Sequence, residues 1–200
     1  MKLLAVDTSG PVCGVAILTE DGIRHECAVM NHKTHSVNLL PMIDNAFQST
    51  GLTIQDMDRL AVVVGPGSFT GVRLGVSTVK GLAHGAGKPC VTVNALEAMA
   101  AGISGFSGVV CPIQDARAGQ VYGAAFSAGE NRPNRLMADT PMKVEDYVAE
   151  INRFGDRFLF LGDGMPVHRQ KLQTLLGDAA TFAQPHQTCL LYTSDAADDK

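Results

Sequence analysis

Residues 60–84 pass from a buried strand through a glycine turn into a helix with no spacer, and that junction restricts the chain to an α/β fold. Leu60-Ala61-Val62-Val63-Val64 is an unbroken apolar run of strand length, the pattern of a strand covered on both faces. Gly65-Pro66-Gly67 ends it. Ser68 and Thr70 then offer N-caps to a helix predicted from about Thr70 to His84. A strand feeding directly into a helix presents free backbone N–H groups, which suits an anion. The G-x-x-x-x-G-K-[ST] spacing of a P-loop is absent. The helix carries a small-residue stripe, Gly71, Gly75, Thr78 and Gly81, beside an apolar one, Val72, Val76, Val79 and Ala83. Each interior glycine costs ~1 kcal/mol relative to alanine. A close approach must offset that cost, either inside this subunit or against the helix of a partner.

The segments around this junction alternate in the same manner. Lys2–Val6, Val12–Thr19 and Ile23–Met30 read as a three-strand meander, divided by Asp7-Thr8-Ser9-Gly10-Pro11 and Glu20-Asp21-Gly22. A helix is predicted from near Ser36 to Gly51, with Leu40, Ile43 and Phe47 on one face and Leu39, Met42 and Ala46 on the next. Pro41 is tolerable there only near the start or at a bend. A strand at Cys90–Val93 and a helix at Ala95–Ala101 follow. The order predicts a mixed sheet covered by helices.

A second lobe is expected from Val109–Ile113 and Gln120–Ser127, then a polar loop, a helix over Val144–Arg153, a strand over Arg157–Leu161 and a helix over Pro166–Leu176. It echoes the first: a strand ending in Asp115, a turn through Ala116–Gly119, and re-entry at Gly123-Ala124-Ala125-Phe126 parallel Asp7, its turn, and Gly14-Val15-Ala16-Ile17. The domain reading is therefore an N-terminal lobe at 1–105 and a C-terminal lobe at 106–188. Residues 189–200 break so abruptly from the preceding composition that they read as a non-native tail in place of the true C-terminus, leaving the second lobe truncated.

Composition removes several functions. Net charge is −4 and no lysine/arginine run exceeds two residues, so the basic stripe of an autonomous RNA binder is missing. The five cysteines are dispersed without a C-x-x-C, and the first four sit in apolar runs, which fits a reduced, cytoplasmic protein. No apolar run is long enough to span a bilayer.

Two readings attach to Asp7-Thr8-Ser9. An aspartate and two hydroxyls at a strand end can hold a metal–phosphate unit, with Gly10 allowing backbone approach. An Asx-type turn closing a hairpin is the plainer account of the same residues. The convergence of this turn with Gly65 and Gly67 makes it the candidate for a weak ATP or ADP site; no other cofactor is expected. His32 and His35, with Asp7, fall short of the three or four protein ligands zinc normally takes, so capping histidines are the simpler account. In the second turn Arg117 stands where a phosphotransferase of two-lobed kinase type needs an acidic, glycine-rich loop. Asp163, in Gly162-Asp163-Gly164, suffices as a helix cap.

Asp7-Thr8-Ser9, His35-Ser36 with Leu40-Pro41, Gly65-Pro66-Gly67-Ser68-Phe69-Thr70-Gly71-Val72-Arg73-Leu74-Gly75, Lys80-Gly81-Leu82-Ala83 and Asp115-Ala116-Arg117 together resemble the TsaB (YeaZ) family over about residues 1–185. The resemblance implies a two-lobed actin-like, sugar-kinase-like (ASKHA) α/β fold with mixed sheets flanked by helices. It implies a non-catalytic subunit of the complex that forms N6-threonylcarbamoyladenosine at position 37 of tRNAs reading ANN codons. The expected partners are a homologous TsaD-type catalytic subunit and a TsaE-type ATPase, with tRNA reached only through the complex, no membrane, and a homodimer when alone. The catalytic relative carries H-x-x-x-H; His32-x-x-His35 is one residue short of it, so metal chemistry is expected in the partner. Leu39, Met42, Ala46, Gly71, Val72, Gly75, Val76 and Val79, on the two N-terminal helices, are the expected partner surface. The competing classes are an actin-fold phosphotransferase or nucleotide hydrolase and a metallopeptidase-like hydrolase.

Overall fold

The apolar faces of the first strands explain how the N-terminal sheet forms. In the computed structural model, which describes residues 1–30, 34–127, 129 and 132–183, β1 (Leu3–Asp7) is antiparallel to β2 (Cys13–Thr19), and β2 to β3 (Gly22–Val29). β4 (Arg59–Val63) and β5 (Cys90–Val93) add in parallel on the other side of β1. Leu4, Val6, Val15, Ile17, Leu60 and Val62 share one face, and α1 (His35–Thr50) and α2 (Phe69–Ala86) close over it through Leu39, Met42, Ile43, Ala46, Val79 and Ala83. Both helices stop at a glycine in the left-handed region, Gly51 and Gly87. Pro41 lies inside α1 at an exposed position, four residues after the exposed Val37 whose carbonyl its missing N–H would have met.

The second sheet repeats the plan. β6 (Val109–Arg117), β7 (Gln120–Ser127) and β8 (Asn134–Lys143) form a meander, and β9 (Phe158–Leu161) and β10 (Ala180–Phe182) add in parallel. The two strand orders, β3-β2-β1-β4-β5 and β8-β7-β6-β9-β10, are the same order once each β6–β10 strand is set beside its β1–β5 counterpart. α4 (Val144–Ile151) and α5 (Gly164–Leu176) occupy the places of α1 and α2. Tyr147 anchors α4: its hydroxyl donates to the Ala124 carbonyl at 2.7 Å, and a β-carbon at Gly123 would lie 2.5 Å from its ring.

The structure departs from the sequence reading in three places. The polar loop before α4 contains β8, and β10 follows α5. β8 carries Pro141, Arg135, Asp139 and Lys143, and as an edge strand paired, among the described residues, only to β7 it tolerates both the proline and the charges. The boundary between the two compact units falls after Ala95, earlier than the expected 105. The reason is that Leu96, Met99 and Ala100 of α3 (Ala95–Ala101) pack with Val110, Ala124, Phe126, Leu159 and Leu161 of the second sheet. The tail at 189–200 lies outside the described residues, as do 184–188 of the expected C-terminal lobe.

Candidate functional site

Asp7 ends β1, and the turn after it is folded tightly on itself. The Ser9 backbone N–H and hydroxyl both donate to Asp7 Oδ1, at 2.8 and 2.7 Å. This is an Asx turn with a second hydrogen bond added. The Thr8 hydroxyl donates to the Gly71 carbonyl at 2.7 Å, and the Ser68 N–H donates to the Ser9 carbonyl at 2.7 Å. Ser68 caps α2, its Oγ accepting from the Gly71 N–H at 3.3 Å. His35, the first residue of α1, donates from Nε2 to the Gly10 carbonyl at 2.8 Å. Thr8 and Ser9 are buried, with both hydroxyls engaged inside the turn.

The glycines explain how α2 comes so close. A β-carbon at Gly67 would lie 2.3 Å from the Ser9 carbonyl oxygen, one at Gly71 2.0 Å from that of Thr8, and one at Gly75 2.4 Å from Thr8 Oγ1. Of the two partners the stripe offered, the internal one is real at Gly71 and Gly75. Gly65 accepts from the Ala95 N–H at 2.9 Å, fixing the end of β5 to the same turn. Asp7 is buried, and desolvation raises its carboxyl above the ordinary aspartate range although Ser9 and the nearby His35 pull the other way.

That direction yields a prediction. A folded-state pKa above the unfolded one favours folding when the group is protonated, and this contribution is lost as pH rises through the folded value. Asp7→Asn keeps an acceptor for Ser9 and removes the desolvated charge. It is expected to be at least as stable as the parent at neutral pH, with the difference shrinking as pH falls toward about 4. Denaturant midpoints at the two pH values measure this; an Asn variant less stable at pH 7 than at pH 4, relative to parent, contradicts it.

The second unit holds the counterpart turn. Arg117 N–H donates to Asp115 Oδ1 at 3.1 Å, the same i to i+2 bond that Ser9 makes to Asp7, with Arg117 and Ala118 at positive φ. Buried His168, the fifth residue of α5, donates from Nε2 to Asp115 Oδ1 at 3.3 Å. Among the described residues no three His, Cys, Asp or Glu side chains are placed to hold a metal ion. His32 lies outside those residues.

The expected partner face needs correction. Leu39, Met42, Ala46 and Val79 are core residues, and Gly71 and Gly75 are buried against Thr8; only Val72 and Val76 remain half-buried at the surface. The apolar side chains these helices do expose are Val37 and Leu40 on α1 and Phe69 on α2, the last 74% exposed with the Arg73 guanidinium 5.2 Å above its ring. Leu40 is exposed although it shares a helical period with the buried Ile43 and the half-buried Phe47. Phe69 carried a signal that went unused: a large aromatic between Ser68 and Thr70 at a helix start.

The model of the family "TsaD: tRNA N6-adenosine threonylcarbamoyltransferase" matches residues 26–193. The chain is 34% identical over 177 residues, 88% of its length, to the tRNA threonylcarbamoyladenosine biosynthesis protein TsaB of Bacillus subtilis (strain 168), of which it covers 77%. The chain belongs to the TsaB (YeaZ) family. The Escherichia coli (strain K12) TsaB is 39% identical over 134 residues, 66% of this chain and 57% of that protein, so the chain spans little more than half of this relative. A solved Pseudomonas aeruginosa protein described as similar to peptidase YEAZ superposes with TM-score 0.77 at 26% identity, covering 98% of this chain and 91% of that one. Component A of the Acidaminococcus fermentans (R)-2-hydroxyglutaryl-CoA dehydratase shares the fold alone, with TM-score 0.51 at 12% identity over 96% and 94% of the two chains. The fold is thus the two-lobed actin-like one, with each lobe a mixed sheet and its helices.

Proposed function

We propose that this TsaB-family chain is a non-catalytic subunit of the assembly that makes threonylcarbamoyladenosine on tRNA, working beside a TsaD-type catalytic subunit. The observation carrying this reading is the closed state of the Asp7-Thr8-Ser9 turn. A phosphate-handling loop needs hydroxyls and N–H groups free to meet its ligand, and here Thr8 donates to Gly71, Ser9 to Asp7, and Ser68 to Ser9. The turn works as a structural knot that positions α2. Any ATP or ADP affinity at Asp7, Thr8, Ser9, Gly65 and Gly67 is weak, and the subunit needs no resident cofactor.

The exposed side of α1 and α2, around Val37, Leu40 and Phe69, is the surface assigned to the catalytic subunit; alone, the chain pairs with a second copy through the same face. A TsaE-type ATPase joins the assembled complex, and tRNA is contacted through it, in keeping with the net charge of −4. The working place is the cytoplasm; no helix among the described residues is long and apolar enough to cross a membrane.

The test is reconstitution. The purified chain is expected to form no modified tRNA and to turn over no ATP by itself, and to raise product when added to the catalytic subunit and the remaining pathway components. Calorimetry with ATP and ADP is expected to register no binding tighter than the millimolar range. Modified tRNA made by the isolated chain, or ATP turnover lost on Asp7→Ala, overturns the reading.

A further inference from the structure

The second unit contains a cluster of titratable side chains in which His168 is buried and Asp115 and Asp163 are half-buried; Asp115 has its counterpart in Asp7, and the cluster has no part in the proposed function. Three features bring it together. Asp115 lies at the end of β6, where its Oδ1 takes both the Arg117 N–H at 3.1 Å and His168 Nε2 at 3.3 Å. Asp163 precedes α5 in a helical conformation without a side-chain cap bond, and one of its two carboxyl oxygens, Oδ1, is buried without a hydrogen-bond partner. The Gly162-Asp163-Gly164 turn is pressed onto β6: a β-carbon at Gly162 would lie 2.2 Å from the Ile113 carbonyl oxygen, and one at Gly164 2.9 Å from the Gln114 carbonyl carbon. Asp163 therefore cannot swing away from Asp115 without lifting the start of the helix.

We propose that Asp115, Asp163 and His168 form a proton-dependent latch that fastens the first turns of α5 to the β6–β7 turn. Burial, reinforced by the Asp115 charge, pushes the Asp163 carboxyl up to about 6, against the backbone N–H groups of Asp163, Gly164 and Asp115, which favour the ionised form. The folded form thus binds a proton that the unfolded chain gives up, so the fastening is tight at low pH and weakens as pH rises through about 6. The other charged groups on α5 and the elements packed against it are Arg169 and Lys171 of α5, Glu145, Asp146 and Glu150 of α4, Arg117 of β6 and Asp178 past the helix end. Lys171 pairs with Glu145 of α4 at 2.5 Å, and Arg169 stands 4.6 Å from the Phe182 ring. Asp178 follows the far end of the helix, and β9 and β10 carry no titratable residue.

Hydrogen exchange on the full chain tests the latch. After correction for intrinsic rates, α5 amides are expected to exchange about tenfold more slowly at about pH 5 than at pH 7.5, with no matching change in α4. Asp163→Asn should give the slow rate at both pH values. Asp115→Asn, which removes the neighbouring charge, should move the midpoint of the wild-type change to lower pH. Equal α5 protection at both pH values in the wild type, a pH difference that survives in Asp163→Asn, or a midpoint unmoved by Asp115→Asn overturns the proposal.

Discussion

Gly71→Val is expected to unfold the first unit. Its β-carbon would sit 2.0 Å from the Thr8 carbonyl oxygen, a backbone atom held between β1 and β2, so neither side can yield without pulling α2 off the sheet. Overpacking costs about 1–3 kcal/mol where side chains can shift, and a collision with backbone belongs at or above the top of that range. Gly75→Leu meets Thr8 Oγ1 at 2.4 Å and should fail similarly, breaking the Thr8–Gly71 bond as well. It therefore cannot serve as a probe of partner binding, the purpose its place in the stripe suggests. Gly81→Ala is the control: it lies in the same helix with no atom within 4 Å of its would-be β-carbon, and should stabilise by up to about 1 kcal/mol. Thermal unfolding of the three variants separates close approach from helix propensity. A Gly71→Val protein as stable as the parent would mean that α2 does not lie against the turn.

Phe69→Ala and Leu40→Asp should each weaken binding to the catalytic subunit by about 30-fold or more while leaving the fold intact. Phe69 is 74% and Leu40 56% exposed, so neither truncation opens a cavity nor buries a charge in the free chain. A large aromatic with an arginine stacked on it is the kind of side chain that dominates interfaces, where truncation of one anchor costs about 2 kcal/mol or more. Arg73→Ala should have a smaller effect in the same direction, since it removes the guanidinium that orients the ring. Calorimetric titration against the catalytic subunit, with melting temperatures recorded on each variant, measures both quantities. Unchanged affinity in folded Phe69→Ala and Leu40→Asp would place the interface off this face.

The architecture was largely legible because its signals are local. Turn chemistry at Asp7–Pro11 and Glu20–Gly22, the apolar run at 60–64 and the glycines ending α1 and α2 each dictate structure within a few residues. The repeated Asp turn was legible too, and the shared strand order supports it. The missed elements depend on position in the sheet. β8 tolerates Pro141 and its charges because it is an edge, and β10 is three residues long, recognisable only through its pairing with β9. Which way a helical face points was the hardest matter. α1 offers two apolar stripes one residue apart, and periodicity alone does not say that Leu39 goes in and Leu40 out. The glycine stripe announced a close neighbour, but only coordinates identify it as Thr8.

The central position of β1 and β6 also governs how the chain is exposed while it is being made. Each pairs on one side within a hairpin, Leu3 with Leu18 and Val110 with Phe126, so that side closes as soon as the next strand leaves the ribosome. On the other side Leu3 waits for Arg59 and Val109 for Phe158, across the rest of the meander and a helix. Non-local parallel pairing is slow to form, and an unpaired apolar strand edge is a template for association with other chains. Synthesis of this protein therefore passes twice through the same vulnerable interval, once before β4 emerges and again before β9, and these two windows are where a chaperone that shields strand edges would raise its yield.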